Sequence, residues 1–415
     1  MSTITIQLAS PIQPTFRAMQ IAGMFDIPIH EPLHHNLTAE VPGLDEPWTI
    51  GAIVGPSGSG KTSLAQAAFG AAVHEPRPWP REAAMIDCLD DGQGRPEARP
   101  TIKQLTHILA AVGLGSTPTW LKPYHLLSTG ERFRADLARA LLESGTSLTQ
   151  RHGGTEKDCH GTLCAPVPLC EIPLLVIDEF TSTLDRTIAK TTSAALARFL
   201  RRLTPDSRPL TPGRFVAVTC HDDILPWLQP DWVIRLGDGN ARLTRGHLQR
   251  PTLQLPVRQV PQITWSHFAR HHYLTGGLAR SATCYAAFAP SWGGPLAGPE
   301  KPIAFCAAVA ALGWHKTKRI TRLVTLPEYQ GLGIASRLLE IVAQHEAGKG
   351  NRVTITASHP AILAHCSTSP RWHLTNHKPV GSTPQTYRGR PIKSSTNRPI
   401  ASFEFTLSPF APRKD

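Results

Sequence analysis

The sequence lacks any apolar run long enough to cross a bilayer, and it lacks the marks of export. Its 415 residues contain no stretch approaching the roughly 20 apolar residues that a membrane-spanning helix needs. The first ten residues, MSTITIQLAS, have no basic region followed by an apolar one, so no secretory signal is expected. We therefore expect a soluble, cytoplasmic protein without membrane insertion.

A disulfide framework and internal repeats are also missing. The cysteines are few for the length and lie far apart, which favours reduced thiols in a cytosol over a disulfide scaffold. The eight cysteines are Cys88, Cys159, Cys164, Cys170, Cys220, Cys284, Cys306 and Cys366. The chain is too long for one compact core, and its 41% hydrophobic content is enough to fold two or three domains.

Excess charge is absent from the first 250 residues and concentrated in the remainder. Residues 251–415 hold 19 Lys and Arg against 6 Asp and Glu, a net charge of +13, whereas residues 1–250 hold 24 against 25. Such a field favours a polyanionic partner, nucleic acid first and a bound anionic cofactor second. The alternative is a solvated basic surface that only aids solubility.

A glycine-rich loop follows the first apolar strand of the chain. The alternating and β-branched residues of 48–54 predict a buried strand that delivers this loop to a helix over 61–72. Backbone N–H groups of such a loop can point at phosphate oxygens, with the positive end of the helix behind them. Lys61 would neutralise the β- and γ-phosphates of ATP, and Thr62 would offer its hydroxyl to Mg²⁺. The loop residues are Gly55, Pro56, Ser57, Gly58, Ser59, Gly60, Lys61 and Thr62.

An acidic pair closes a second apolar strand, Leu174-Leu175-Val176-Ile177. Asp178 follows directly and is placed to hold the Mg²⁺ shell. Glu179 comes next and is placed to orient or deprotonate the attacking water. A capping role for the pair at a following helix is the simpler alternative.

The run Leu127-Ser128-Thr129-Gly130-Glu131 lies between these two elements. Phosphate loop, Leu-Ser-x-Gly-Glu run and acidic strand in this order resemble the ABC-type ATPases. The resemblance implies that the run completes the ATP site of a second copy, so the chain would work as a homodimer. It implies nucleotide contacts at Gly55, Pro56, Ser57, Gly58, Ser59, Gly60, Lys61, Thr62, Ser63, Ser128, Gly130, Glu131, Asp178 and Asp185, with Thr62 and Asp178 on Mg²⁺.

Further features match the same family in part. Asp185 lies in a segment that resembles the D-loop, and His221, after the strand-like run 215–221, resembles the switch histidine that contacts the γ-phosphate. Lys61, Glu179 and His221 are thus the predicted catalytic residues. Gln93, after the strand-like run 84–89, is either the Q-loop glutamine or part of an acidic turn.

The distance from Ser128 to Asp178 is about twice what one helix, a short connection and one strand require. The excess is residues 144–173, which we interpret as an inserted loop. Its histidines and cysteines suggest a metal, but their spacings match no zinc pattern well, which favours a polar insertion. These residues are His152, Cys159, His160, Cys164 and Cys170.

A second glycine-rich turn lies in the basic half, between a strand at 320–324 and a helix at 333–346. The segment from Arg322 to Leu339 resembles the acyl-CoA-binding motif of the GNAT acetyltransferases, with Gln330, Gly333 and Ala335 at the pattern positions. The resemblance implies that backbone groups at a helix start bind the pyrophosphate of acetyl-CoA. The implied acetyl-CoA-binding residues are Leu323, Val324, Gln330, Gly331, Gly333, Ile334 and Ala335.

The groups for acetyl transfer are less clearly marked. Cys366 stands where these enzymes often place a tyrosine acid. Either Cys366 or His365 could still deliver a proton, because we expect the pKa values of both side chains to lie within reach of neutrality. Glu328 and His315 are candidate bases; all four could instead be packing or surface residues. The run 265–274 mixes aromatic and basic side chains, which suits either stacking on nucleic-acid bases or an amphipathic helix on the sheet.

We therefore predict an α/β chain: a P-loop, ABC-type ATPase domain over 1–250, a linker over 251–262, and an α+β GNAT-like domain over 263–415 with a partly mobile segment at 376–400. The predicted function is ATP hydrolysis at a dimer interface, coupled to acetyl transfer from acetyl-CoA to an acceptor, for which nucleic acid is a candidate. The alternatives are the ATP-binding subunit of a transporter with a sensor domain, and a nucleic-acid-binding ATPase with an inactive GNAT fold.

Overall fold

The computed structural model describes residues 2–10, 15–26, 33–89, 100–151, 174–201, 213–237, 240–246, 248–249, 251–272, 277–289, 301–311, 316–379, 385–387, 390–392 and 399–407. They form two compact units. Unit 1 comprises residues 1–79 and 136–251, and unit 2 comprises residues 80–135 and 252–415. No helix in these described ranges is both long and apolar enough to cross a membrane.

The helices and strands are numbered along the chain. The helices are α1 (Phe16–Phe25), α2 (Lys61–Phe69), α3 (Ile102–Ala111), α4 (Thr117–Trp120), α5 (Thr129–Arg151), α6 (Arg186–Leu200), α7 (Leu225–Leu228), α8 (Ile334–Gly348) and α9 (Pro360–Thr368). The strands are β1 (Ser2–Ser10), β2 (Leu33–Val41), β3 (Ile50–Val54), β4 (Leu174–Ile177), β5 (Arg214–Thr219), β6 (Trp232–Gly237), β7 (Asn240–Arg245), β8 (Val257–Val260), β9 (Thr283–Phe288), β10 (Pro302–Ala310), β11 (Thr317–Thr325), β12 (Arg352–Ala357), β13 (Trp372–Lys378), β14 (Gln385–Tyr387), β15 (Arg390–Ile392) and β16 (Ile400–Phe405).

Unit 1 contains a five-stranded sheet in the order β4-β5-β3-β6-β7. The first four strands are parallel, and all of β3 and β5 is buried, as expected for the centre of a parallel sheet covered on both faces. Gly51 has to lack a side chain, because an added Cβ would lie 2.0 Å from the indole of Trp232. Parallel strands align their carboxyl ends, so the segments that follow β3, β4 and β5 lie along one edge.

A two-stranded antiparallel sheet, β1 with β2, belongs to the same unit, and α1 lies in the connection between its strands. Leu37, Ala39 and Val41 alternate inward along β2 and join a buried cluster with Trp232 of the main sheet. The period of two along β2 is what a strand with one covered face requires.

Unit 2 contains a seven-stranded sheet in the order β13-β16-β12-β11-β10-β9-β8. All neighbours are antiparallel except β11 and β12, which are parallel over 317–320 and 352–355. Leu338, Leu339 and Val342 of α8 are buried against this sheet. Spacings of one, three and four residues place them on one face of the helix.

Residues 80–135 group with the C-terminal half rather than with the rest of the predicted ATPase. This segment contains α3, α4 and the first turns of α5, and the Trp120 indole N–H donates to Leu114 O at 2.6 Å within it. The predicted strand over 84–89 is wrong. Asp87–Leu89 forms a 3-10 turn, and Ala84 makes only an isolated bridge with Pro123.

Most other predicted elements are present with boundaries shifted by one to three residues, and the strand Leu174–Ile177 agrees at both ends. The run 265–274 begins with 3-10 turns, Gln262–His267 and Ala269–His271, not with an α-helix. Within the predicted mobile segment, β13 reaches Lys378 and two short strands form a hairpin. The predicted insertion begins as a continuation of α5 to Arg151, and its residues 152–173 lie outside the described ranges, as does Gln93.

Candidate functional site

The glycine-rich loop after β3 opens directly into α2. Gly58 and Gly60 have φ of 80° and 87°, a left-handed backbone that glycine adopts without strain. Gly60 is the N-cap of α2, and a glycine has no side chain with which to cap the first N–H groups of the helix. Those N–H groups are therefore left for an anion. Gly55 is held closely, because an added Cβ would lie 2.6 Å from Leu236 O.

Lys61 lies at the first position of α2 with only 7% of its surface exposed. Its ammonium donates to Pro56 O at 2.6 Å, which folds the side chain back over the loop. The hydroxyl of Ser59 in the same loop is buried and has no hydrogen-bond partner among the described residues. A buried cation and an unsatisfied hydroxyl beside a row of N–H groups fit the charge and donor set of a bound polyphosphate.

Thr62 and Asp178 meet although they are 116 residues apart. The Thr62 hydroxyl donates to Asp178 Oδ2 at 2.7 Å, which brings the end of β4 to the start of α2. A hydroxyl and a carboxylate are oxygen ligands of the kind that Mg²⁺ takes in nucleotide sites. The structure thus places together the two residues predicted to hold the metal.

Glu179 is exposed and has a φ of 51°, in the left-handed region. Its N–H donates to Asp178 Oδ1 at 2.8 Å, and its carbonyl accepts from Ser182 N at 3.1 Å. A non-glycine residue in this conformation costs about 1–2 kcal/mol, and such outliers cluster at functional sites. Glu179 follows β4 after one residue, so it lies at the sheet edge that carries the phosphate loop.

His221 and Asp185 lie at the same edge. β5 ends at Thr219, which is paired with Val54 at the end of β3, and His221 follows two residues later with its N–H on the Thr219 hydroxyl at 3.2 Å. The Asp185 carboxylate accepts from Thr187 N at 2.8 Å and so caps α6. The capping contact occupies one carboxylate oxygen of this predicted nucleotide-binding residue.

The Leu-Ser-x-Gly-Glu run forms the start of α5 in unit 2. Ser128 N donates to Glu131 Oε2 at 2.9 Å and Glu131 N donates to the Ser128 hydroxyl at 3.3 Å, a reciprocal capping arrangement. Ser128 is exposed and Gly130 is buried. Burial raises the pKa of Glu131, but hydrogen bonds from Ser128 and Thr119 outweigh it and hold the pKa below its ordinary value. The helix therefore begins with a charged carboxylate and an exposed serine at its tip.

The second glycine-rich turn repeats the geometry of the first. Gly331 and Gly333 have φ of 81° and 78°, and Gly333 is the N-cap of α8. Upstream, β11 carries a bulge at Thr321, because Ala307 pairs with Arg322 and Ala308 with Ile320. The parallel pairing of β11 with β12 stops at Ile320, so the two strands diverge ahead of the turn. A divergence of two parallel strands beside a helix N-terminus makes a cleft with an anion site at its end.

Some of the predicted acetyl-CoA-binding residues lie in the hydrophobic core, and others lie at the turn before α8. Val324 and Ile334 are buried in the hydrophobic core, so only their backbone groups could bind a ligand. The hydroxyl of Thr325, at the end of β11, is buried without a hydrogen-bond partner in the described ranges. Gln330 donates from Nε2 to Thr325 O at 3.1 Å and accepts at Oε1 from Gly115 N at 2.7 Å. Both polar atoms of its side-chain amide are therefore hydrogen-bonded within the protein.

The structure describes three of the four candidate acids and bases. Burial, and then the Glu340 carboxylate, raise the pKa of Cys366 to about 12, so the expectation of a pKa near neutrality is wrong for this fully buried thiol. His365 Nε2 lies 3.3 Å from Glu340 Oε1. Glu328 lies in the 3-10 turn before Gln330, and His315 is outside the described ranges.

Two aromatic residues proposed for base stacking are packed inside unit 2. Trp265 is 8% exposed and Phe268 is fully buried, and both rings lie 5.4 Å from the ring of Phe305. Their interpretation as a stacking surface for nucleic-acid bases is therefore wrong, and the core-packing alternative holds. Among the described residues, no group of three or more metal-ligating side chains comes together.

Two further residues at the second turn, Arg134 and Gly115, have no recognisable signal in the sequence. Arg134, on α5, is 2% exposed and donates from Nη1 to Gly113 O and to Pro327 O, both at 2.7 Å. Gly115 receives the Gln330 side chain described above. In the sequence, Arg134 looks like an ordinary helix residue, and residues 113–115 look like a helix C-terminal turn.

Comparison with known proteins identifies one of the two parts directly. The model of the Acetyltransferase (GNAT) family matches residues 268–365. No curated protein matches the chain in sequence. Since the match covers the second glycine-rich turn and the strands around it, this region is a GNAT domain.

Solved structures of both kinds are similar to the chain at low identity. A ribosomal-protein-S18-alanine N-acetyltransferase from Escherichia coli is 13% identical, with 39% of this chain and 98% of that one covered and a TM-score of 0.28. A GNAT family acetyltransferase from Elizabethkingia anophelis, solved with acetyl-CoA bound, is 12% identical, with 37% and 98% covered and a TM-score of 0.25. A bacterial ABC transporter cassette described as dimeric is 15% identical, with 51% and 89% covered and a TM-score of 0.32.

At such TM-scores the fold assignment depends on the geometry and on the family match. The parallel sheet with a phosphate loop after its central strand confirms the P-loop part of the predicted fold, and the match over 268–365 confirms the GNAT part. The predicted α/β class is therefore confirmed, and the ABC-type assignment of the first part stays a prediction.

Proposed function

We propose that the chain binds ATP with Mg²⁺ on the loop after β3 and hydrolyses it at an interface between two copies. The observation that carries this proposal is the 2.7 Å contact between the Thr62 hydroxyl and Asp178 Oδ2 at the start of α2. It joins the phosphate-binding loop to the acidic end of β4, which is the pairing that magnesium-dependent phosphoryl transfer requires.

Each residue of this site has a defined task. The N–H groups at the start of α2 bind phosphate oxygens, and Lys61 turns from Pro56 O to the phosphates and neutralises their charge. Thr62 and Asp178 would hold Mg²⁺, which would supply charge neutralisation for the phosphates when bound. Glu179 accepts a proton from, or orients, the attacking water.

A second copy completes the site. Ser128 is exposed at the beginning of α5, where the N–H groups of another helix N-terminus can contact a γ-phosphate. One chain carries one such run, so two chains are needed to sandwich nucleotide between a phosphate loop and the partner's serine. ATP then stabilises the dimer by mass action, because it binds the dimer more tightly than the monomer.

The replacement Glu179→Gln tests this scheme. The variant should bind ATP with an unchanged dissociation constant, lose hydrolysis by at least about 100-fold, and remain dimeric in the presence of ATP and Mg²⁺. Calorimetry measures the dissociation constant of ATP, phosphate release measures hydrolysis, and light scattering measures the dimer. Glu40→Gln, on the exposed face of β2, is the matched control and should behave like the wild type.

Two outcomes would contradict the scheme. Unchanged turnover in Glu179→Gln would remove this residue from the chemistry. A strictly monomeric Glu179→Gln protein at saturating ATP would remove the dimer.

For the GNAT domain we propose binding of acetyl-CoA and transfer of its acetyl group. The support is the family match over 268–365 together with the Gly331 and Gly333 turn at the start of α8. The cleft between β11 and β12 would take the acyl arm, and the N–H groups after Gly333 would take the pyrophosphate.

The acceptor we propose is polyanionic, with nucleic acid as the first class to test. The net charge of +13 over residues 251–415 supports it, since a basic field concentrates acidic partners. The test is to incubate the protein with ATP, Mg²⁺ and labelled acetyl-CoA together with nucleic acid, protein or small-amine pools. The measurement is which pool becomes labelled. Label in nucleic acid, with a rate that falls steeply as salt rises, supports the proposal, and label only in amines contradicts it.

A further inference from the structure

Gly115 is bound by side chains from both walls of the acetyl-CoA cleft. Its N–H donates to Gln330 Oε1 at 2.7 Å, and Gln330 begins the turn at the end of β11. Its backbone also hydrogen-bonds His359, which caps α9 directly after β12. Because the pairing of β11 with β12 ends at Ile320, a single residue links the segments that follow the two strands.

Arg134 makes a second connection to the same turn. Its guanidinium is almost fully buried and joins Gly113 O to Pro327 O, with both distances at 2.7 Å. Burial lowers the pKa of Arg134 to about 10, and the Glu328 and Glu131 carboxylates oppose that shift. A buried arginine that joins two carbonyls holds them at a fixed separation.

The close approach explains why this segment contains glycines. A Cβ on Gly115 would lie 3.0 Å from Gln330 Oε1, and a Cβ on Gly113 would lie 3.2 Å from Gln330 O. Gly113 also has a φ of 83°, which disfavours any side chain. Both positions therefore favour glycine because Gln330 packs closely against them, and not only because a helix ends there.

The contacts continue from Gly115 to the Leu-Ser-x-Gly-Glu run. The Trp120 indole donates to Leu114 O at 2.6 Å, and the neighbouring Thr119 hydroxyl donates to Glu131 Oε1 at 3.1 Å. Glu131 in turn holds Ser128 N at 2.9 Å. Residues 113–134 thus form one hydrogen-bonded body, with the exposed serine at one end and the acetyl-CoA turn at the other.

We propose that Arg134 and Gly115 are positioning residues that transmit ATP binding at Ser128 to the acetyl-CoA turn, with Gln330 as the receiving side chain. This inference rests on the proposed function, because it needs ATP at Ser128 of a second copy and acetyl-CoA at Gly331 and Gly333. Movement of α5 when nucleotide closes the dimer shifts Pro327 and Gln330 through their hydrogen bonds. The N–H groups that bind pyrophosphate shift with them, so the affinity for acetyl-CoA depends on nucleotide.

The experiment measures coupling rather than affinity alone. The dissociation constant of acetyl-CoA for the full-length chain is determined by calorimetry with and without Mg²⁺ and a non-hydrolysable ATP analogue. We expect the two constants to differ by at least about fivefold, and acetyl-CoA to change the affinity for the analogue by the same factor.

The variant Arg134→Met should bind each ligand alone but reduce that factor to below about twofold. Gln330→Met should reduce the factor to the same extent, whatever its own affinity for acetyl-CoA. Arg134→Lys, which can still reach a carbonyl, should restore part of it. Arg132→Met is the matched control on the same helix, because Arg132 bonds His125 O within its own segment. Gln330→Met keeps the test decisive if Arg134→Met does not fold, since Gln330 is only half-buried.

The outcomes separate this inference from the proposed function. If the wild type binds both ligands and neither affects the other, the inference is overturned while both sites stand. If Gln330→Met keeps the full factor, the connection through Gly115 is overturned. If the wild type binds no acetyl-CoA or no nucleotide, the proposed function fails and this inference fails with it.

Discussion

The two glycine-rich turns have the same backbone but different side chains. In both, two left-handed glycines lie two residues apart and the second is the N-cap of a helix, Gly60 before α2 and Gly333 before α8. The first helix continues with Lys61 and Thr62, and Asp178 reaches Thr62. The second continues with the apolar pair Ile334 and Ala335.

The difference follows from what each ligand has to undergo. A triphosphate that is cleaved needs a cation, a metal and an acid nearby, because charge moves between oxygens during the reaction. A pyrophosphate that only anchors a carrier needs N–H groups and the helix dipole. The backbone therefore provides binding in both turns, and the side chains decide which turn performs chemistry.

The largest effect expected is loss of ATP binding in Lys61→Ala. Removal of a charge-assisted hydrogen bond worth about 1.5–3 kcal/mol should weaken ATP by about 10- to 100-fold. Acetyl-CoA binding in the absence of nucleotide should stay within about twofold of the wild type. Calorimetry measures both constants, and Lys349→Ala, on an exposed lysine of unit 2, is the control. A parallel loss of acetyl-CoA affinity would show that the turns are not separate sites.

The second largest effect is expected for Gly333→Ala. A side chain at a φ of 78° costs about 1–2 kcal/mol and crowds the pyrophosphate position, so acetyl-CoA should bind about tenfold more weakly. Binding of ATP should not change. Gly348→Ala is the matched control at the other end of α8, because an added Cβ there has open space around it. Equal effects of the two replacements would remove Gly333 from the binding site.

A smaller effect is expected on the pH dependence of the stability of unit 2, which contains the second turn. Burial lowers the pKa of His359 from its ordinary 6.5, and the hydrogen bond with Gly115 only partly opposes this. The unfolded chain therefore takes up the proton first as the pH falls below about 6.5, so unit 2 loses stability on acidification. We expect the thermal midpoint of unit 2 to fall less between about pH 7.5 and about pH 5.5 in His359→Asn, which keeps the helix cap. A steeper fall in the variant would contradict the assignment.

The smallest effects are expected for two of the buried hydroxyls that have no partner among the described residues, those of Ser59 and Thr325. Ser59→Ala and Thr325→Val break no hydrogen bond of the folded chain, so each should change its stability by less than about 1 kcal/mol. Each should weaken only its own ligand, ATP or acetyl-CoA, by about two- to fivefold. Titrations of both ligands against both variants check the pattern, and a crossed pattern would contradict it.

The sequence pattern predicted the elements whose formation depends mainly on residues close to one another in the chain. The strands β3 and β4 and the start of α2 follow from apolar runs and glycines, and the meeting of Thr62 with Asp178 follows from the alignment of parallel strands. The error at 84–89 has a similar local cause, because a short apolar run fits a strand and a buried turn equally well.

The connection from Gly115 to Gln330 could not be predicted in this way. The two residues are 215 positions apart and lie in segments that the sequence assigns to different domains. Glycine at a helix end has an ordinary explanation, so its second role appears only when the packing is known. The burial of Cys366 depends in the same way on tertiary packing that its neighbours in sequence do not reveal.

The most direct test of the account is a double titration of the full-length chain. Acetyl-CoA is titrated into protein saturated with Mg²⁺ and a non-hydrolysable ATP analogue. If the two loops are separate binding sites, acetyl-CoA should still bind at one site per chain while the analogue stays bound. Stoichiometric displacement of the analogue by acetyl-CoA would mean one shared site and would contradict the account.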